Sequence, residues 1–180
     1  MNRFLDIIIS IIGIALFFPF LIIFLIIGWF DTGAPIYIQK RLGLNLKTFN
    51  LIKFRTMKIE TKLSATHLVE KSNITATGYF FRKFKIDELP QLLNVLVGDM
   101  SIVGPRPCLT NQKKLIFERK KRGVFKVKPG ITGLAQIEGV NMAKPVLLSK
   151  TDLKMIQKKI NIKNYFKYIL LTIFLIIKQT

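Results

Sequence analysis

At 180 residues the chain has room for one domain, or for a small domain plus a membrane element, so a single active site is expected. Half the residues are apolar, yet 29 Lys and Arg stand against 10 Asp and Glu; the formal charge of +19 calls for an anionic partner, whether nucleic acid, lipid headgroups or a phosphorylated substrate. One cysteine, Cys108, and one histidine, His67, exclude an internal disulfide and argue against a zinc site; His67, in a polar stretch with no partner motif, reads as a solvated surface residue.

The first predicted element is a membrane segment. Ile7 to Phe30 runs 24 residues without a charge, broken only by Ser10, Gly13, Pro19 and Gly28. As a straight helix it would extend about 36 Å, enough to cross a hydrocarbon core about 30 Å thick. The run is too long for a signal-peptide core, and no small-x-small cleavage site follows it. Trp29 and Phe30 sit where an interfacial anchor is expected. Pro19, at the centre, removes a backbone hydrogen bond and predicts a bend. From the residues alone, a kinked spanning helix and a helix that turns back to the same face both stay open. Lys40, Arg41, Lys47, Lys53, Arg55 and Lys58 then place the bulk of the chain in the cytoplasm. The expected organisation is therefore a membrane helix over 1–30 and a cytosolic domain over 31–180.

Beyond Asp31 the pattern predicts an α+β, mostly helical domain. Pro35 to Gln39 and Phe49 to Phe54 read as short strands joined by a turn at Gly43 to Asn45. Asp87 to Val97 reads as a helix stopped by Gly98, and Leu109 to Arg122 as a second, cationic helix ended by Gly123. Lys128 to Gly139 is expected to be a loop, and Thr151 to Asn161 a helix capped by Thr151. Tyr168 to Ile177 is apolar but too short to span, so it packs on the domain or lies in the interface. Lys113 to Lys128 and Lys150 to Lys167 mix Lys and Arg with apolar residues, as helices lying on anionic membrane lipids do. The alternative is a solvated face whose Leu115 and Met155 fill the core. No helix-turn-helix, RRM or zinc-finger pattern accompanies the charge, and no nucleic-acid partner is expected.

The chemistry concentrates in Arg82 to Pro107, RKFKIDELPQLLNVLVGDMSIVGPRP. Asp87 and Glu88 begin a predicted helix, where free amides and the positive helix end favour a carboxylate and a nearby phosphate. An ionised Asp87 could attack phosphorus without a general base; alone, the pair would equally well be a helix cap. Lys53 and Arg55 in IKFRTM, Arg82, and Arg106 in GPRP are candidate phosphate clamps. Mg²⁺ suits such a site, since it is held by one or two carboxylates plus phosphate oxygens. Asp99 reads as a turn residue.

DELPQLLNVLVGDMSIVGPRP, preceded by IKFRTM and followed by KPGITGLAQ, resembles the bacterial sugar transferase family, the small monotopic phosphoglycosyl transferases. The resemblance covers nearly the whole chain and implies transfer of a sugar 1-phosphate from a UDP-sugar to undecaprenyl (polyprenyl) phosphate, with release of UMP, at the cytoplasmic face of the bacterial inner membrane. It implies that Asp87 is the nucleophile of a covalent phosphosugar intermediate, paired with Glu88, with Mg²⁺ on Asp87. It assigns Lys53, Arg82, Arg106 and Asp152 to substrate binding, and makes the N-terminal helix re-entrant, bent near Pro19. The chain departs from the family pattern at Phe18, where a small hydroxyl residue often precedes the proline, and at Ile137 to Asn141, IEGVN, where NGRN is common. The rival expectation is a basic membrane scaffold without catalysis, for which Asp87 and Glu88 would be dispensable.

Overall fold

The computed structural model describes residues 3–59, 71–158 and 160–178; His67 lies outside them. One long helix, α1 (Arg3–Thr32), runs beside an α+β domain in which short helices surround two small sheets. The hairpin β1 (Ile36–Leu42) and β2 (Thr48–Phe54) forms as the alternating pattern predicts, paired antiparallel from Ile36 with Phe54 to Leu42 with Thr48. Its turn places Asn45 and Leu46 at positive φ. A third strand, β4 (Cys108–Leu109), adds to β1, so Leu109 belongs to a sheet rather than to the helix expected from it. That helix, α4, begins later and spans Lys113–Lys121 before Gly123 takes the left-handed conformation.

Several elements differ from expectation for identifiable reasons. The helix predicted from Asp87 is split by Pro90: a 3₁₀ turn covers Ile86–Glu88, and α3 (Gln91–Val97) starts only after the proline, ending at Gly98 with φ 103°. The stretch expected to be a loop carries β5 (Gly130–Thr132) and the single-turn α5 (Leu134–Ile137). β5 pairs in parallel with β3 (Ser101–Val103) because Gly104 and Gly130 let two backbones meet; a Cβ on Gly130 would sit 2.0 Å from the Gly104 nitrogen. α6 spans Pro145–Gln157, with Pro145 in its first turn and Thr151 inside rather than capping it. α2 (Ala76–Lys83), capped by Thr75, packs where Gly78 lies against the Thr56 backbone. α7 spans Ile162–Lys178, buries Tyr165 and leaves Phe166, Leu170, Ile173, Phe174 and Ile177 exposed.

Leu115 and Met155 are buried in the two hydrophobic clusters, so these members of the cationic stretches fill the core as the alternative reading holds. Phe117 alone of the first group turns well outward.

α1 is continuous through Pro19, so the expected break does not end the helix. Its 30 residues measure about 45 Å at about 1.5 Å per residue, and both ends are fastened to the domain. Near the start, Arg3 donates to the carbonyls of Val95 and Leu96. Asp6, 1% exposed, accepts through Oδ1 from Ser101 Oγ at 2.8 Å, Ile102 N at 2.9 Å and Tyr165 Oη at 2.6 Å. Towards the other end, Phe24 meets Phe54 and Phe81 edge-on at 6.2 and 5.3 Å, Gly28 abuts Pro35, and Asp31 accepts from Thr75 at 2.6 Å. Burying Phe54 and Phe81, each 1% exposed, stabilises the junction by about 1.5–3 kcal/mol apiece. The outward face of α1, from Ile11 to Phe30, is an apolar surface with hardly a polar atom.

Candidate active site

The Asp87–Glu88 turn lies between the end of β2, the loop from β3 to β4 and the start of α3. Lys85 opens it at φ 58°, an uncommon conformation for a residue with a side chain and one that clusters at functional sites. Asp87 and Glu88 are both buried. Glu88 Oε1 accepts from Arg106 Nη2 at 2.6 Å, whereas Asp87 Oδ1 is buried without a partner. The two neighbours therefore differ: one carboxylate is committed to an arginine, and the other keeps an available oxygen.

Electrostatics separates them further. Burial and then the Glu88 charge push Asp87 up to about 6, against Lys53, Lys85 and Arg106. Burial works on Glu88 as well, but Arg106, by charge and hydrogen bond, holds its carboxyl well below the usual range. Asp87 sits in a buried 3₁₀ turn beside a second carboxylate, which raises its carboxyl above the usual range but leaves it mostly ionised at neutral pH, as the expected nucleophile requires. Burial also lowers Lys53 to about 8, with Asp87 opposing.

Each expected clamp has a definite place. Lys53 and Arg82 lie close enough to Asp87 to sense its charge, and Arg82 Nε is held on Thr56 Oγ1 at 2.8 Å. Arg55 turns away: its Nε donates to Ala34 O at 2.8 Å, and its guanidinium stacks on Tyr37, bracing the hairpin. Asp99 follows Gly98 in the turn after α3, donating its amide to Asn94 O at 3.0 Å. Asp152, expected at the substrate, is 1% exposed and lines neither of the cavities described below. It accepts from Arg119 Nε at 2.9 Å and pairs with Nη2 at 2.8 Å, while Arg119 Nη1 donates to Arg106 O at 2.8 Å. Asp152 therefore acts through Arg119 on the loop that carries Arg106. Arg119 had the appearance of one more surface cation in a basic stretch; no local pattern marks it as the buried member.

Two cavities meet here. One, about 600 Å³, is apolar, walled by α1 and α7 through residues such as Phe17, Phe20, Phe24 and Ile173, with Lys85, Glu88 and Arg106 at its polar edge. The other, about 380 Å³, is lined by Arg41, Lys85, Arg106 and Gln136 and, on its apolar wall, Val140 and Met142. Lys85, Arg106 and Gln136 belong to both. The IEGVN segment, which departs from the family pattern, supplies Gly139 to Asn141 of the second cavity.

Among the described residues no group of three His, Cys, Asp or Glu side chains forms a metal cage. Mg²⁺ asks for less, one or two carboxylates completed by phosphate and water oxygens. The unpartnered Oδ1 of Asp87 fits that requirement.

A profile of the bacterial sugar transferase family matches residues 1–179. The "Uncharacterized sugar transferase EpsL" of Bacillus subtilis is 51% identical over 110 residues, 61% of this chain and 54% of the relative. A "Putative undecaprenyl-phosphate N-acetylgalactosaminyl 1-phosphate transferase" of the same organism is 44% identical over 59% of this chain and 61% of its own length. The "UDP-glucose:undecaprenyl-phosphate glucose-1-phosphate transferase" of Xanthomonas campestris pv. campestris is 42% identical over 69% of this chain and 26% of its own length. The matches to these three thus span between about a quarter and three fifths of the relatives' lengths.

Proposed function

Because this chain belongs to the bacterial sugar transferase family, we propose that it moves a sugar 1-phosphate from a UDP-sugar to a polyprenyl phosphate, releasing UMP, and so initiates a surface glycan. The observation that carries the reading is the meeting of an apolar and a cationic cavity at Lys85 and Arg106, next to the turn in which Glu88 lines the apolar cavity and its neighbour Asp87, which lines neither, keeps a buried Oδ1 without a partner. A lipid phosphate and a nucleotide sugar need opposite environments for their bodies and the same cations for their phosphates.

In the first step an Asp87 carboxylate oxygen attacks the sugar-linked phosphorus. The bond from that phosphorus to the bridging oxygen breaks, and UMP departs with the oxygen and its electron pair. Lys53, Lys85 and Arg106 offset the anionic repulsion between carboxylate and diphosphate. Glu88 holds the Arg106 guanidinium in place at 2.6 Å. Mg²⁺ bound at Asp87 would supply further charge neutralisation on the phosphate oxygens. In the second step an oxygen of polyprenyl phosphate attacks the same phosphorus, the acyl phosphate bond breaks, and Asp87 is regenerated. The test combines the purified protein, Mg²⁺, polyprenyl phosphate and a panel of UDP-sugars: UMP release with one of them supports the assignment, and silence across the panel counts against it.

The titrations set a pH dependence. Asp87 must be ionised to attack, so activity rises with pH through about 6. Lys53 must be charged to hold phosphate, so activity falls through about 8. A bell-shaped kcat/KM with these limbs is expected, since kcat/KM reports the free enzyme. Lys53→Arg should remove the alkaline limb, and a profile flat from pH 5 to 9 would count against both assignments.

The two fastened ends of α1 support a re-entrant topology. Arg3 and Asp6 are bonded to the same domain as Asp31. A helix crossing to the far side would strand Asp6 beyond about 30 Å of hydrocarbon. In the proposed arrangement α1 enters and stays on the cytoplasmic side, its apolar face in lipid, with α7 beside it and the cationic surface on anionic headgroups. A cysteine introduced at Asn2 should resist impermeant labelling in intact cells and react after permeabilisation; labelling from outside would refute the arrangement.

A further inference from the structure

Arg41 has no role in the account so far, yet its surroundings are unusual. It projects from β1 and is 6% exposed. Nη1 donates to Pro107 O at 3.1 Å and Nη2 to Gln39 Oε1 at 2.5 Å, while Nε is buried with no partner. Both partners are neutral, and among the described residues no carboxylate forms an ion pair with it. Of the carboxylates, Glu88 is the one that bears on it, and Glu88 is already paired with Arg106. A buried guanidinium without a counter-charge is costly, and proteins normally compensate such a group or bring an anion to it.

The smaller cavity is where an anion would arrive. Arg41 lines the smaller cavity together with Lys85 and Arg106. Glu88 pairs with Arg106, and among the described residues Arg41 and Lys85 form no ion pair. The rest of the lining mixes the apolar Ala135, Val140, Met142 and Leu148 with Gln136 and Asn141. A phosphate attached to a flat, weakly polar group matches that lining, with the phosphate on Arg41 and the ring against the mixed remainder. The apolar cavity, which suits the lipid acceptor, does not include Arg41.

Resting on the proposed transfer reaction, we propose that Arg41 binds the phosphate that stays with the leaving nucleotide, making the smaller cavity the nucleoside monophosphate subsite. Arg41 then discriminates donor from acceptor, which Lys85 and Arg106, shared by both cavities, do not.

The competing role is structural: by holding Pro107, Arg41 would merely position the Arg106 loop. Binding of UMP and of uridine to the full-length protein in detergent separates the two. For the unsubstituted protein UMP should bind tighter than uridine, and Arg41→Gln should cut UMP affinity about 10- to 100-fold, the range for a lost charge-assisted contact, while leaving uridine unchanged. The KM for the UDP-sugar should rise with it and that for polyprenyl phosphate should not; Arg41→Lys should restore part of the UMP affinity. Equal losses for UMP and uridine, or equal rises in both KM values, would overturn the proposal in favour of positioning. Unchanged UMP affinity would overturn it outright. If the unsubstituted protein fails to bind UMP or to release it, the transfer reading itself has failed, an outcome distinct from either.

Discussion

Replacing Asp87 with Asn is expected to abolish UMP release while leaving the protein folded and more stable. An amide oxygen is a poor nucleophile and cannot form the acyl phosphate, so the loss should be on the order of 10³- to 10⁶-fold, as for removal of a nucleophile elsewhere. The stability change has the opposite sign. Folding raises the Asp87 carboxyl from 3.8 to about 6. Below pH 3.8 the group is protonated whether folded or not and adds no penalty; above about 6 it is ionised in both states and the penalty is complete. At pH 7 the buried Asp87 charge therefore destabilises the fold by something on the order of 2–3 kcal/mol, which Asn removes along with the repulsion from Glu88. A higher Tm with no turnover is the combination that marks a strained catalytic group. Retained turnover, or a lower Tm, would contradict it.

A second large effect is expected at the buried pair between Arg119 and Asp152. Both side chains are almost fully buried, 2% and 1% exposed, so Asp152→Ala leaves an isolated guanidinium in the interior and should destabilise by about 3–5 kcal/mol. A double replacement, Arg119→Met with Asp152→Leu, removes both charges and should recover most of that loss, because apolar substitutes for a buried pair are often neutral or better. Activity should not recover. Arg119 also holds the Arg106 carbonyl at 2.8 Å, and without it the guanidinium that meets Glu88 loses its anchor. Thermal unfolding in detergent, read beside UMP release, distinguishes the two effects; a double variant with full stability and full activity would show that the pair positions nothing.

The sequence made some levels of this structure legible and hid others. The hairpin was readable because β-branched alternation and the turn residues at Gly43 to Asn45 act locally. Gly98 was readable as a stop because only a left-handed cap ends α3 there. The parallel pairing of β3 with β5 was not, since each strand has three residues and depends on Gly104 and Gly130 approaching across the fold. Pro145 marks the start of α6 as a first-turn proline, and Thr151, six residues on, lies inside the helix.

At the site, Asp87, Glu88, Lys53, Arg82 and Arg106 come together as the motifs suggest. What no local pattern conveys is which of 29 cations turn inward. Arg41 and Arg119 do, each held by groups far away in the chain, whereas Arg55 spends its donors on the hairpin. The role of α1 also becomes visible only through long-range contacts. Asp6 reads as one charge near a neutral N-terminus, but in the fold it joins β3 and α7 and fastens the start of the helix to the domain.

Incubating the protein and Mg²⁺ with a UDP-sugar labelled at the sugar-linked phosphorus, without lipid acceptor, tests the central claim most directly. The account predicts one equivalent of UMP and the label on the peptide containing Asp87, discharged when polyprenyl phosphate is added. Label that never becomes protein-bound, with UMP appearing only when both substrates are present, would contradict it.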